Sequence, residues 1–112
     1  MALNNLKPCV RLSIENPDSQ SKSVFGRGIA LLCKGVRDTG SLNAAAKNMG
    51  MAYSKAWRII NETEDALGTE LLNRDGAHGS TLTPDGNSIL DAYLHLETEA
   101  QSFAETTFKK LL

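Results

Sequence analysis

The segment from Tyr53 to Arg58 concentrates side chains that donate hydrogen bonds or carry positive charge. Tyr53, Ser54 and Lys55 are consecutive, and Arg58 follows Ser54 after about one helical turn. Hydroxyl groups bond to phosphate or to base edges, whereas Lys and Arg bind phosphate or the acceptor edge of guanine. If one helix presents these residues together, their types and spacing predict a surface that binds nucleic acid.

The charge of the chain is unevenly distributed along its 112 residues. The formal net charge is −1, but residues 22–60 contain seven Lys or Arg against the single acid Asp38, a local balance of +6. Residues 84–112 contain five acids and two lysines, a balance of −3. This asymmetry fits a basic nucleic-acid-binding face on an acidic body, although a solvated surface accounts for a cluster of this size equally well.

No combination of residues predicts catalysis, a metal site or a bound cofactor. The Gly-Arg-Gly sequence at 26–28 lacks the third glycine of a dinucleotide-binding loop, and His78 and His95 are too distant in sequence for a metal motif. Glu62, Glu64 and Asp65 are expected on a solvated helix face, without a base or a nucleophile beside them. We therefore expect a protein that is not an enzyme.

Length and composition predict one small cytoplasmic domain. With 41% hydrophobic residues the chain can form a modest core, and it has no apolar run of eighteen residues that could span a membrane. The first ten residues lack the pattern of a secretory signal. Cys9 and Cys33 are expected to be reduced thiols rather than a disulfide.

The order of the predicted elements is strand, three helices, hairpin and helix. Residues 9–15 alternate apolar and polar side chains, which predicts a strand with one buried face, and residues 16–23 predict a loop. Apolar residues at helical spacing predict a first helix ending at Gly40. Ser41 is a good N-cap for a second helix that Gly50 ends, and residues 53–67 form a third helix that Gly68 ends.

The remaining residues predict a wing and a long final helix. Residues 70–83 resemble two short strands around a glycine-bearing turn, and Thr83 with Pro84 is a typical helix start. This order is that of a winged helix-turn-helix: a mainly helical α+β fold with an N-terminal strand, a β-hairpin wing and a long C-terminal dimerisation helix. We expect residues 1–83 to form the DNA-binding domain and residues 84–112 the dimerisation helix.

In a winged helix-turn-helix the third helix enters the major groove of double-stranded DNA, and the residues at its N-terminus contact base edges. Trp57 either touches DNA or packs over the first helix or the wing. Arg74 either binds phosphate or pairs with Glu70 or Asp75, and His78 is either a phosphate contact or simply solvated. The residues that we expect at the DNA interface are Ser41, Asn43, Lys47, Ala52, Tyr53, Ser54, Lys55, Trp57, Arg58, Arg74, His78 and Ser80.

The final helix contains an apolar seam with alternating steps of four and three residues, which is typical of a helix that pairs with another helix. Because the helix is longer than so small a domain needs, we expect two copies to pair through it as a homodimer. The alternative is that the seam packs on the first helix of the same chain. The residues expected at the dimer interface are Ile89, Tyr93, Leu96, Ala100, Phe103 and Phe108.

Residues 40–74 resemble the DNA-binding domain of LysR-type regulators without a gap. The shared residues are Ser41, Ala45, Ala46, Glu64, Leu67, Gly68, Leu71 and Arg74, followed by Leu-Thr-Pro-Asp-Gly. A closer resemblance, over about residues 25–93, is to the N-terminal domain of the ModE family of molybdate-responsive regulators. Its signature is matched by Thr39, Gly40, Ser41, Ala45, Ala46, Gly50, Tyr53, Ala56 and Trp57. These resemblances imply a homodimeric winged-helix protein that binds DNA and acts in transcription.

The sequence departs from the ModE family in two respects. The wing is shorter and contains fewer glycines, so the resemblance supports a wing contact with DNA less strongly than the contact of the third helix. No residues remain after the final helix for the molybdate-binding domains, so we expect no oxyanion sensing by this chain and allow for a separate effector-binding chain. The competing hypothesis is a winged-helix adaptor that binds another protein through the same groove or through the final helix.

Overall fold

Three short helices and a two-stranded hairpin form the body of the molecule, and a long fourth helix extends from it. A computed structural model describes residues 2–74 and 79–112. The helices are α1 (Arg27–Thr39), α2 (Leu42–Asn48), α3 (Tyr53–Leu67) and α4 (Pro84–Leu111), and a short 3₁₀ helix spans Ala2–Asn5. Strands β1 (Leu72–Asn73) and β2 (Thr81–Leu82) are antiparallel, with Leu72 opposite Leu82. The predicted winged helix-turn-helix is confirmed.

The helices begin and end at the residues that the sequence indicated. Gly40 adopts a left-handed conformation with φ of 72° after α1, and Gly68 does the same after α3 with φ of 78°. The Ser41 hydroxyl accepts a hydrogen bond from the Ala44 N–H at 3.0 Å, which caps α2. Thr83 caps α4 in the same way, accepting from the Gly86 N–H at 2.9 Å.

The core lies where α1, α2, α3 and the hairpin meet the first turns of α4. Its largest fully buried side chains include Phe25, Leu32, Leu42, Ile60, Leu71, Leu72, Leu90 and Tyr93. α1 and α2 approach each other closely, since a Cβ atom on Gly35 would lie only 2.6 Å from the Cβ of Ala45. This close approach fixes the position of α2, and through the short turn also that of α3. None of the helices within the described residues is both long enough and apolar enough to cross a bilayer.

The N-terminal segment does not form the predicted strand. Its period of two is retained as alternating burial, with Val10, Leu12 and Ile14 half-buried and the residues between them exposed. Only Ile14 makes a β-bridge, exchanging both backbone hydrogen bonds with Phe25 at 2.9 and 2.8 Å. The backbone groups of Pro8 and Val10 are bonded to a side chain rather than to a strand. The Gln101 side chain on α4 accepts from the Val10 N–H at 2.9 Å and donates to the Pro8 carbonyl at 2.7 Å.

The 28-residue helix α4 has one face covered by its own chain and another face open. Its first turns pack on the body, where the Tyr93 ring meets Phe25 edge-on at 5.5 Å and is only 1% exposed. Tyr93 is therefore wrong as a dimer contact, because a second copy could reach its ring only by opening the core. Ile89 is also partly buried against that core. The predicted alternative, packing on α1, thus holds for the first turns of α4.

Phe108, which is also predicted at the dimer interface, lies on another side of α4, and its dimer contact stays a prediction. It is half-buried and lines a groove with Leu3 and Leu6 of the N-terminal segment, about 140° around α4 from Phe103. In contrast, Leu96 is 50% exposed and Phe103 is 73% exposed, with Ala100 half-buried between them. These three residues form the open seam of α4.

Candidate nucleic-acid interface

The outer surface of α2 and of the first turns of α3 carries most of the predicted DNA contacts. One side of α3 is buried through Ala56, Ile60 and Thr63, and this burial turns the opposite side of the helix toward solvent. Seven predicted contacts are exposed on this surface: Asn43, Lys47, Ala52, Tyr53, Ser54, Lys55 and Arg58. The start of α3 thus exposes the hydroxyl and cationic groups as expected, and their contact with DNA stays a prediction.

Ion pairs within the chain neutralise part of the positive charge of residues 22–60. Arg27 approaches Glu97 at 3.5 Å, Lys34 bonds to Asp38 at 2.9 Å, and Arg37 bonds to Asp91 at 2.8 Å. These three cations lie on α1, away from the turn between α2 and α3. Among the described residues, Lys47, Lys55 and Arg58 make no ion pair within 4 Å. Of the four cations in residues 22–60 that have no ion pair within the described part of the chain, three therefore lie on α2 and α3, and the fourth, Lys22, lies in the loop before α1.

Ser41 supports the same surface from the start of α2. Its side chain is half-buried and its hydroxyl is occupied as the helix cap. A phosphate at this position would therefore meet the backbone N–H groups of the first turn of α2 together with the cap, rather than a free serine hydroxyl.

Arg74 and Trp57 are held together at the base of the wing. The Arg74 Cζ atom lies 4.5 Å from the centre of the Trp57 ring, and Arg74 Nη2 donates to Asn61 Oδ1 at 2.8 Å and to Glu64 Oε1. The predicted partner Glu70 is not the one that Arg74 uses, and Asp75 lies outside the described residues. Of the two roles predicted for Trp57, packing at the wing is the one observed.

Glu64 is the residue whose role the sequence analysis missed. It was expected on a solvated face, but it is only 7% exposed. Its Oε2 atom accepts hydrogen bonds from the backbone N–H groups of Leu71 at 2.7 Å and Leu72 at 3.3 Å, while Oε1 bonds to Arg74. The step of four residues from the buried Ile60 placed Glu64 on the inner face, and this spacing was the signal that could have identified it.

The chain just before β2 is bonded to the body of the molecule through Ser80. The Ser80 N–H donates to the Gly40 carbonyl at 2.9 Å, and Ser80 is 8% exposed. Ser80 is therefore wrong as a DNA contact, because it is packed against the turn between α1 and α2. The predicted contact at His78 lies outside the described residues.

Comparison with known proteins connects this geometry to a family. Residues 32–87 match the family model described as bacterial regulatory helix-turn-helix protein, lysR family. The transcriptional regulator ModE of Yersinia pestis is 34% identical over 84 residues, which cover 71% of this chain and 32% of ModE. The HTH-type transcriptional regulator TdcA of Escherichia coli K12 is 42% identical over 52 residues, 46% of this chain and 16% of TdcA.

A solved structure supports the same assignment. The DNA-binding domain of CbnR, in a crystal structure of its DNA complex, has a TM-score of 0.56 and 29% identity, covering 70% of this chain and 90% of that domain. This chain spans a third or less of the length of its relatives ModE and TdcA. Both resemblances found in the sequence, to LysR-type and to ModE regulators, are confirmed. With its family model, its sequence relatives and its structural neighbour in agreement, the chain belongs to the lysR family of bacterial regulatory helix-turn-helix proteins.

Proposed function

We propose that this chain is a dimeric, sequence-specific DNA-binding unit that regulates transcription from the cytoplasm. The observation that carries the proposal is the exposed first turn of α3, where Tyr53, Ser54 and Lys55 stand together while Ala56 beside them is buried. A helix presented in this way can enter a major groove without disturbing the core.

The exposed residues divide into two kinds of contact. Tyr53, Ser54 and Arg58 face outward where base edges would lie, and we assign sequence selection to them. Lys47 and Lys55 supply positive charge beside them and would bind phosphate. Asn43 and the start of α2 at Ser41 add polar groups at the edge of the same surface.

The dimer in this proposal forms through the open seam of α4. An isolated apolar surface of this kind on a long helix favours pairing with a second helix. A second copy would bury Leu96 and Phe103 and bring a second α3 helix to the same side of the DNA. Two such helices contact half-sites about 34 Å apart, one turn of the duplex.

Salt-dependent binding to duplex DNA tests the proposal. The wild-type chain should lose affinity steeply as salt increases, because Lys and Arg release counterions from the phosphates that they bind. Lys47→Ala and Lys55→Ala should each weaken binding and reduce the slope of log K against log salt by about one unit, because both are assigned to phosphate. Selection of bound duplexes from a random pool should then yield a palindrome.

Lys34→Ala is the matched control, since Lys34 is an exposed cation that is already paired with Asp38 on α1. It should leave both the affinity and the slope unchanged. If the wild-type chain binds no duplex even at low salt, the proposal is wrong and the adaptor hypothesis gains. If Lys34→Ala and Lys55→Ala have equal effects, the charge acts non-specifically and α3 has no special role.

A further inference from the structure

Tyr53, Trp57 and Arg74 form a stack between α3 and the base of the wing, which we call the wing-base stack. The Tyr53 ring meets the Trp57 ring at 89°, with 6.3 Å between the ring centroids. The Arg74 guanidinium lies over the Trp57 ring, and the same guanidinium is held by Asn61 and Glu64. The stack therefore joins the first turn of the third helix to the residue that directly follows β1.

The residues that hold the stack lie along one side of α3. Tyr53, Trp57, Asn61 and Glu64 follow one another at steps of four, four and three residues. At the far end, Glu64 also accepts from the backbone N–H groups of Leu71 and Leu72, so α3 is tied to the wing over about two turns, from Trp57 to Glu64. A shift of the wing along α3 would have to break the stack and the buried carboxylate contacts together.

The stack lies at the edge of the apolar core, against which Trp57 packs. Trp57 is half-buried and Tyr53 is 47% exposed, and both border the surface assigned to DNA. An aromatic side chain that is already held in one orientation loses little conformational freedom when it binds. The Tyr53 hydroxyl is therefore presented from a ring whose direction Trp57 constrains.

We infer that Trp57 and Arg74 are positioning residues for sequence recognition, which fix the direction of Tyr53 and the placement of the wing relative to α3. This inference rests on the proposed function, because it concerns how the same surface selects its DNA. Arg74 acts through Trp57 here, because its guanidinium lies over the Trp57 ring and is held there by the bonds of Nη2 to Asn61 and Glu64. Their loss should impair the choice of sequence without removing a phosphate contact.

Binding of Trp57→Leu to two duplexes separates this role from a structural one. The variant should bind the duplex selected from a random pool about tenfold more weakly, with unchanged affinity for random duplex. Its salt slope should also be unchanged, because no phosphate contact is lost. Trp57→Phe keeps an aromatic ring below Arg74 and should restore most of the preference. Lys55→Ala is the contrasting control, because it should weaken binding to both duplexes and reduce the slope.

A second variant keeps the test decisive if Trp57→Leu does not fold, as judged by its thermal midpoint. The double variant Glu64→Gln with Arg74→Gln removes the cation above the ring and leaves no unpaired charge in the buried site. It should show the same loss of preference with an unchanged salt slope. A reduced slope would instead mean that Arg74 binds phosphate directly, which overturns the positioning role.

The wild-type protein offers a direct readout, because Trp57 is the single tryptophan of the chain. Saturation with the selected duplex should change the wavelength or the intensity of tryptophan emission, and an unchanged spectrum overturns the inference. Equal affinity of Trp57→Leu and wild type for the selected duplex overturns it as well. If the wild type binds no duplex at all, the proposed function itself fails. That result differs from an unchanged emission spectrum or an equal affinity of the variant, which overturn only the positioning role.

Discussion

The carboxylate of Glu64 is bonded to two backbone N–H groups of β1 and to the guanidinium of Arg74. Removal of a buried acceptor leaves its donors without partners, which costs about 1–3 kcal/mol and more for charged groups. We expect Glu64→Ala to lower the free energy of unfolding by about 3 kcal/mol in urea denaturation. Glu62→Ala, an exposed neighbour on the same helix, should change it by less than about 0.5 kcal/mol. Equal effects of the two substitutions would contradict this assignment.

The two cysteines differ sharply in environment, since Cys9 is exposed and Cys33 is buried in α1. Burial, reinforced by the charge of Glu64, raises the pKa of the Cys33 thiol from 9.0 to about 12. We expect one rapidly reacting thiol per native chain with a disulfide reagent at pH 8, and two after denaturation. Cys9→Ser should abolish the rapid reaction, and a native Cys9→Ser protein that still reacts rapidly would contradict the buried environment.

The raised pKa of Cys33 makes the free energy of unfolding depend on pH. The folded state holds the Cys33 proton more tightly than the unfolded state does. The contribution of this thiol to the free energy of unfolding is therefore fully present below pH 9 and is lost as the pH rises toward 12. Cys33→Ala should therefore flatten the decline in unfolding free energy over that interval, whereas Cys9→Ser should not.

The sequence predicted the exposure of individual side chains well where local order decides it. Tyr53, Ser54 and Lys55 follow directly from the start of a capped helix, because helical periodicity assigns each position to a face. Glu64 and Arg74 could not be paired from sequence, since the bond joins residues on two elements whose relative placement depends on tertiary packing. For the same reason the burial of Ser80 beside Gly40 was not predictable from the hairpin alone.

At the scale of elements, the contact between α1 and α2 tolerates little change. A Cβ on Gly35 would lie 2.6 Å from the Cβ of Ala45 and 3.2 Å from its Cα, so the two helices would have to separate. Overpacking of this kind costs about 1–3 kcal/mol, which offsets the gain of about 1 kcal/mol in helix propensity. We expect Gly35→Ala to lower the thermal midpoint and to weaken DNA binding, because α2 supports α3.

Gly28→Ala is the matched control for that substitution. Gly28 lies on the same helix, but a Cβ there would meet no atom within 4 Å. Its thermal midpoint should stay constant or rise slightly, since alanine favours the helix and nothing is displaced. If both variants lose stability equally in a calorimetric scan, the close helix contact is not the cause.

The elements themselves were predicted best where caps and periodicity agree, as in α1 to α4. The N-terminal strand failed because alternation specifies which side chains face inward, but not whether another strand is available to pair with. In this protein the Gln101 side chain takes the place of such a strand for Pro8 and Val10. No pattern local to residues 9–15 contains that information.

At the scale of the whole molecule, α4 makes the chain elongated. Its 28 residues span about 42 Å at 1.5 Å per residue, and the long axis of the chain measures 57 Å. The body covers the first turns of α4, and the N-terminal segment covers one side of its last turns. The open seam of Leu96, Ala100 and Phe103 lies between these two regions, which makes it the surface that a second copy can reach without rearrangement.

Charge substitution on this seam tests the dimer. Leu96→Asp or Phe103→Asp would bury a carboxylate against an apolar partner, and no cation is available to pair with it in the open seam. We expect the wild-type chain to sediment at twice the chain mass at micromolar concentration, and either variant to sediment as a monomer. Because two linked modules bind more tightly than one, the monomers should also bind a palindromic duplex far more weakly.

Thr98→Asp is the control for the same helix. Thr98 is exposed and lies about 200° around α4 from Leu96, on the side that carries the N-terminal segment. A carboxylate there faces solvent and should leave the dimer intact. A wild-type monomer at micromolar concentration contradicts the proposed dimer outright. If Thr98→Asp dissociates the dimer and Leu96→Asp does not, the interface lies on the other side of α4, and the two α3 helices must be arranged differently on the DNA.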